Sequence, residues 1–363
     1  MGGHALKHLS PRRLTSAEVQ LMVHHLLRRW SAIHDQPFTL VPWVADKADH
    51  GDIDLVCTVA PELLMARLAA WDVDPALVSR NDRVLSIPVP LPWHAGDGPA
   101  PIAQVDCICC RPEEAVALRF YLSGGDFGLL LGRVAAWHGL VFGMDGLRYR
   151  ADASVPWQRD VHLTADPARI LVALGYPPRL PWFGCDRDLW AFILSSPMAG
   201  AWMFAPEATH HDNRTRDRQR PAVLRFQAWL AAQPPPVMPP RRPAPDEVRA
   251  WVASRFPEVP LAAFLARQEA EFRYQKLLTR ILGMDAAAAV VGADLPAEVH
   301  GGIVRGMAQR LPPLAERIAA MATPAGWAEE VDRAHAAAAA VAAEQGLPPV
   351  ASVPSRPAFV APP

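Results

Sequence analysis

The chain has 363 residues, of which 51% are hydrophobic and 20% charged, with 36 Lys+Arg set against 37 Asp+Glu for a formal charge of -1. That length suits two or three domains with real cores. The composition excludes a low-hydrophobicity disordered chain and a uniformly basic nucleic-acid coat, while leaving room for a local basic groove.

Helical spacing comes first, in residues 16–34, where Ser16 is the expected N-cap and Val19, Met22, Val23, Leu26, Leu27 and Trp30 recur on one face. A strand over 38–44, interrupted by Pro42, is followed by a polar turn and a second strand over 52–59. Pro61 opens a helix over 60–71. Strands over 84–90 and 102–110 flank a Gly/Pro loop, and helices follow over 112–121 and 125–138. From 160 onward the signals are helical or loop-like, with an amphipathic helix over 221–232. The 38 prolines, roughly twice the average share, concentrate in a linker and a tail. The expected organisation is an α+β domain over 1–110 with helices on one side of its sheet and a mostly helical region over 111–232. A Pro-rich linker over 233–245, an all-α domain over 246–345 and a disordered tail over 346–363 complete it.

Five cysteines without regular spacing argue against a secreted disulfide framework, and the N-terminus has no apolar signal-peptide core. No apolar run reaches the roughly 18 residues of a membrane span. A cytoplasmic protein with no membrane partner is the expectation.

The sharpest chemical signal is Gly51-Asp52-Ile53-Asp54-Leu55. Side chains alternate along a strand, so Asp52 and Asp54 share a face about 7 Å apart. Two like charges there lack an obvious local cationic partner, and a hard divalent cation resolves the conflict. Asp106, between Val105 and Cys107, adds a third carboxylate among apolar neighbours, where an isolated charge is costly. An Asp-x-Asp is often a loop cap, and a lone strand Asp is often bonded to backbone. It is their combination, about 50 residues apart, that points to a two-metal site for displacement at phosphorus.

These carboxylates, with the segment after them, resemble the DNA polymerase beta (X family) group of nucleotidyltransferases, and most closely its viral and phage relatives with a degenerate Gly-Ser motif. Tyr121-Leu122-Ser123-Gly124-Gly125-Asp126 is similar to that family's Tyr-Phe-Thr-Gly-Ser turn, and Arg133 falls at the spacing of its template-contacting Arg. Gly143-Met144-Asp145-Gly146-Leu147 resembles its Asn-Glu-x-Gly-Leu. Pro11-Arg12 upstream and Ile170 to Tyr176 downstream extend the likeness over about half the chain. The family's helix-opening Gly-Ser falls at Val41-Pro42, and its following arginines at Val44-Ala45.

The resemblance implies a palm and a helical thumb, and an enzyme that moves a nucleoside monophosphate from an NTP or dNTP to a hydroxyl, with a nucleic-acid 3′ end as the first expectation. It implies two Mg²⁺ or Mn²⁺ ions on the catalytic and metal-binding Asp52, Asp54 and Asp106. Gly51, Lys47, Tyr121, Ser123, Gly124 and Gly125 would bind nucleotide, and Arg133 DNA or RNA. Arg214, Arg216, Arg218 and Arg220, before the 221–232 helix, read equally as a phosphate grip or a solvated helix start. A polyanion partner requires Arg12, Arg13, Lys47, Arg133, Arg148, Arg150 and the 214–220 arginines to share one rim. Two alternatives keep the chemistry and change the acceptor: terminal, template-independent addition to RNA, or nucleotidylation of a protein or small molecule. A third is a catalytically weak nucleic-acid-binding module. Cys107, Cys109 and Cys110 lack zinc-ligand spacing and read as buried thiols; His24-His25 and His210-His211 read as surface residues, and the tryptophans at 182, 190, 202 and 229 as packing.

Overall fold

A computed structural model describes residues 5–30, 38–68, 73–95, 98–150, 160–205, 220–233, 241–318, 320–348 and 357–362. Arg214, Arg216, Arg218, His210, His211 and most of the Pro-rich linker lie outside them. The chain divides into two compact units, one running to residue 150 and from Asp160 to Val259, the other from Pro260 onward.

The first unit opens with α1 (Ser16–Trp30). Its cap is Thr15 rather than Ser16. The Glu18 amide donates to Thr15 Oγ1, while Glu18 Oε2 accepts from the Thr15 amide at 2.9 Å, which makes Thr-Ser-Ala-Glu a capping box. The strands are β1 (Thr39–Leu40), β2 (Ile53–Cys57), β3 (Ser79–Asn81), β4 (Val84–Pro90) and β5 (Ile102–Cys109), in the order β1-β2-β5-β4-β3. β2 and β5 run parallel and the other neighbours antiparallel, so the sheet is mixed. β1 is shorter than the expected 38–44 strand. Pro42 has no N–H to extend the ladder, and its carbonyl accepts instead from the Gly124 amide at 2.8 Å.

One face of this sheet is apolar throughout. Ile53, Leu55, Cys57, Leu85, Ile87, Val105, Cys107 and Cys109 pack in one core with α1 and with Leu64 of α2 (Pro61–Arg67). Helices were expected on one side only. The other face instead receives α3 (Ala115–Leu122), whose Leu118 packs with Val41, Val56 and Ile108. That small cluster covers part of the second face and leaves its carboxylate-bearing part uncovered.

The 111–232 region is less helical than its sequence suggested. After α4 (Phe127–Trp137) come β6 (Leu140–Gly143), β7 (Gly146–Tyr149) and β8 (Val161–Thr164), a second, antiparallel sheet. Gly143 pairs with Gly146 around the two-residue turn Met144-Asp145, and Gly146 has φ 112°. Leu140, Phe142, Leu147 and Tyr149 are buried and alternate with Val141 and Arg148, a period-two pattern too short to stand out beside the neighbouring helices. The unit continues through α5 (Pro167–Ala173), α6 (Asp186–Leu194), α7 (Pro221–Ala231) and α8 (Pro245–Arg255). α8 was expected to begin the C-terminal domain at 246. It belongs to the first unit, because Val248 and Val252 are buried, Val248 lies against Gly139, and Phe256 carries the Arg169 guanidinium over its ring.

The second unit is all helical: α9 (Leu261–Thr279), a π-helical turn over Arg280–Asp285, α10 (Ala286–Val291), α11 (Ala297–Arg310), the short α12 (Leu314–Arg317) and α13 (Pro324–Glu344). Ala334, Ala337, Ala338 and Ala342 let α13 approach its neighbours closely. Part of the expected disordered tail is ordered on this unit. Trp327 Nε1 donates to the Pro357 carbonyl at 3.1 Å, and the Tyr274 hydroxyl to the Val360 carbonyl at 3.2 Å. Among the described residues no helix is long and apolar enough to cross a membrane.

Candidate metal centre

The parallel pairing of β2 with β5 sets Asp54 directly beside Asp106, and the antiparallel pairing of β5 with β4 sets Ser86 on the other side of Asp106. Asp52 precedes β2 by one residue and has the parity of Asp54. The approach to Asp52 is held from α1's end of the molecule: Leu14 and His50 exchange backbone hydrogen bonds of 2.9 and 2.7 Å, and Ser16 Oγ lies 3.0 Å from His50 Nε2. His50 is buried, which pushes its imidazole down to about 4 and keeps it neutral at pH 7.

Asp52, Asp54 and Asp106 each offer a carboxylate oxygen, and the three atoms lie within 4.8 Å of one another. Burial, reinforced by the charges of Asp52 and Asp106, raises Asp54 to about 7. Burial also raises Asp106, to about 6, against the opposing pull of a Ser86 hydrogen bond. Gln104 Nε2 donates to both oxygens of Asp106, at 2.9 and 3.2 Å, while its Oε1 accepts from the Leu6 amide. With both ends of the amide engaged, Gln104 fixes the Asp106 rotamer. Three half-buried, mutually repelling carboxylates form a hard oxygen-donor set, and they fit a divalent cation, which would favour the ionised forms of Asp54 and Asp106.

The triad forms one wall of a cleft of about 750 Å³ within the first unit. The segment from Trp43 to Asp49 forms a second wall, and Gly124 to Asp126 with Asp186, Leu189 and Trp190 forms a third. Gly124 and Gly125 have φ of 63° and 73° and turn the chain from α3 into α4. A Cβ on Gly124 would sit 2.9 Å from the tip of the Leu189 side chain, which would have to shift, so glycine is favoured there mainly by the backbone conformation.

Among the other expected site residues, Lys47, Gly124 and Gly125 line the cleft. Gly51 sits at the bend before Asp52 without lining it. Tyr121 and Ser123 are not at the cleft. The Tyr121 ring packs against Phe142 with centroids 5.3 Å apart, and buried Ser123 donates its hydroxyl to the Arg119 carbonyl at 2.7 Å, closing the end of α3. The period of α3 turns both away from the side where the glycines emerge. Arg133 is half-buried on α4, two turns beyond that entry, and does not line the cleft either. Arg220 lies 3.8 Å from Asp126, a cleft residue.

Of the basic residues expected to share a rim, Arg13 and Lys47 line the cleft, and several of the others are held in ion pairs. Arg12 pairs with Glu18, Arg13 with Asp49 at 2.6 Å, and Arg148 with Asp145 and Asp160. Sequence reading also missed contributors. Gln104 stands two residues from Asp106 on the same strand, so its shared face was readable. Ser86 depends on strand register, and Asp126, Asp186 and Arg225 on tertiary packing. The cysteines are free, with Cys57, Cys107 and Cys109 buried. Trp190 combines cleft lining with packing on Trp229, centroids 5.5 Å apart. No protein-family model matches the chain, and no curated protein matches it in sequence.

Proposed function

We propose that the protein is a metal-dependent nucleotidyltransferase, moving a nucleoside monophosphate from an NTP or dNTP to a hydroxyl. The observation that carries this reading is the convergence of Asp52, Asp54 and Asp106 at the wall of an open cleft. The resemblance of the motifs around them to X-family polymerases supports it.

Asp52 and Asp54 would hold both of two Mg²⁺ or Mn²⁺ ions, with Asp106 serving the one nearest the attacking hydroxyl. Ions held by these carboxylates would neutralise phosphate charge and make that hydroxyl more acidic. Overall, the acceptor hydroxyl gives up its proton to solvent, its oxygen forms a bond to the α-phosphorus, the bond from that phosphorus to the bridging oxygen breaks, and pyrophosphate leaves. Gln104 and Ser86 hold Asp106 in one rotamer, so little reorganisation is needed as charge moves. Lys47 is the one cation lining the cleft that makes no ion pair among the described residues, and it is available to the triphosphate. Gly125 presents bare backbone at the same wall.

The test is release of pyrophosphate from NTPs in the presence of Mn²⁺, with melting temperature followed in parallel. Mn²⁺ plus nucleotide is expected to raise the melting temperature of the wild type by mass action and that of Asp54→Asn much less. A wild type that ignores metal and nucleotide together would overturn the reading.

A further inference from the structure

The three carboxylates are buttressed by a part of the chain far from them in sequence, residues 6–16, which lead into α1. In the sheet, Ile53 of β2 pairs with Val105 of β5, so Ile102, Ala103 and Gln104 extend ahead of the start of β2. The N-terminal segment binds that extension. The Arg12 amide donates to the Ile102 carbonyl at 2.8 Å, and just beyond it Leu14 and His50 exchange backbone hydrogen bonds. Ser16 Oγ then lies 3.0 Å from His50 Nε2. At the segment's other end Leu6, fully buried, donates its amide to Gln104 Oε1 at 3.2 Å. One segment therefore touches both the strand that carries Asp106 and the stretch that leads into Asp52.

The contact at Leu6 decides which way the Gln104 amide faces. A carboxamide has a donating end and an accepting end. The Leu6 N–H can only donate, and a buried N–H needs an acceptor, so it claims Oε1. That leaves Nε2 toward Asp106, where it donates to the two carboxylate oxygens at 2.9 and 3.2 Å. The reversed amide would set an oxygen against the carboxylate and its N–H groups against the Leu6 N–H. Gln104 is itself buried, so water cannot take over either role.

We infer that Leu6 is a positioning residue of the metal centre: its main-chain amide orients Gln104, and through Gln104 the Asp106 carboxylate, for the cation. The inference rests on the metal site of the proposed function, and the two can fail separately. Mn²⁺ affinity of the full-length protein is measured by calorimetry, without nucleotide. The variants are Leu6→Pro, which removes the N–H, Leu6→Ala, which removes the buried side chain and keeps the N–H, and Gln104→Met, which conserves size and removes both hydrogen-bonding ends. Leu6→Pro and Gln104→Met are each expected to weaken Mn²⁺ binding about ten-fold or more, the scale for groups that orient metal ligands. Their combination is expected to be no weaker than the weaker single variant, because both break the same chain of contacts. Leu6→Ala is expected to lower the melting temperature and leave Mn²⁺ affinity at the wild-type value. Losses that multiply in the double variant, or a Leu6→Ala protein as weak as Leu6→Pro, would overturn the assignment and make the segment a packing element only. If Leu6→Pro does not fold, Gln104→Met set against Leu6→Ala still decides, because equal Mn²⁺ affinities there would overturn it. A wild type that binds no Mn²⁺ would instead remove the metal centre, and the positioning role with it.

Discussion

The two faces of the five-stranded sheet are written into the same few residues. In Ile53–Cys57 and Ile102–Cys109, odd positions supply Leu55, Cys57, Val105, Cys107 and Cys109 to a closed core, all 2% exposed or less. Even positions supply Asp54 and Asp106 to the cleft, with Gln104 buried behind Asp106, and then Val56 and Ile108 to the patch under α3. The apolar face is uniform, because its only task is to exclude water. The opposite face changes character within two residues along each strand: Asp54, Asp106 and Ser86 form one row, and Val56, Ile108 and Val84 the next. The apolar row and Leu118 anchor the strands one step from the carboxylates. The acids therefore stay close despite their repulsion, because the backbone beneath them is fixed by burial on both faces.

The largest test of that contrast is Asp106→Asn. On the proposed mechanism, transfer should fall by about 10²-fold or more, since several kcal/mol of transition-state stabilisation depend on the metals. The metal-free fold should be unharmed or slightly more stable, because one of three repelling charges is gone. Pyrophosphate release and melting temperature, measured together, check it. A lowered melting temperature with unchanged turnover would make Asp106 a structural residue.

On the other face, Leu55→Ala should do the reverse. Leu55 is fully buried in the larger core, and its truncation should cost about 2–5 kcal/mol of stability. Whatever remains folded should keep its melting response to Mn²⁺ and nucleotide. A Leu55→Ala protein that is fully stable but blind to metal would show that the two faces are not separable.

Acid should distinguish the faces more gently. Asp54 and Asp106 titrate near 7 and 6 in the folded protein, above the roughly 3.9 of an unfolded chain. A raised carboxylate favours folding while protonated. That contribution is complete below the unfolded value and is lost as pH rises through 6 to 7. The metal-free wild type should therefore lose stability relative to Asp54→Asn between pH 5 and pH 8. The Mn²⁺-induced rise in melting temperature should be larger at pH 8 than at pH 5.5, because metal and proton compete for the same oxygens. Parallel pH profiles for the two proteins would contradict the inferred crowding of the acids.

Strand parity made much of this legible in the sequence. Asp52, Asp54 and Asp106 could be assigned to one face, and the thiols to the other, because both strands are long and strongly apolar. α1, β2, β4 and β5 were readable for the same reason. The β6-β7-β8 sheet was not, since its strands are four residues each and follow directly on a long helical pattern. Tyr121 and Ser123 were misplaced because a motif gives order along the chain, not the rotation of the helix that carries it. The paired arginines were hidden most completely. Arg13 with Asp49 and Arg225 with Asp186 are separated by 36 and 39 residues, and nothing local announces that each positive charge already has a partner.

The smallest expected effect concerns the glycine turn at the edge of the carboxylate face. Gly125 has φ 73°, a conformation that costs an L-residue about 1–2 kcal/mol, yet a Cβ there meets nothing within 4 Å. Gly125→Ala should therefore lower stability by about 1 kcal/mol through backbone strain alone. Gly124→Ala should cost more, because the same strain is joined by the 2.9 Å approach to Leu189. The functional outcome should rank in the same order. At Gly125 one methyl enters the open cleft, so a change in nucleotide KM with little change in melting temperature would place the nucleotide against this wall. At Gly124 the methyl pushes on α6 and so on Trp190, which shares that wall of the cleft. Equal melting temperatures for the two variants would mean that the turn yields freely, and that Leu189 does not set the width of the cleft.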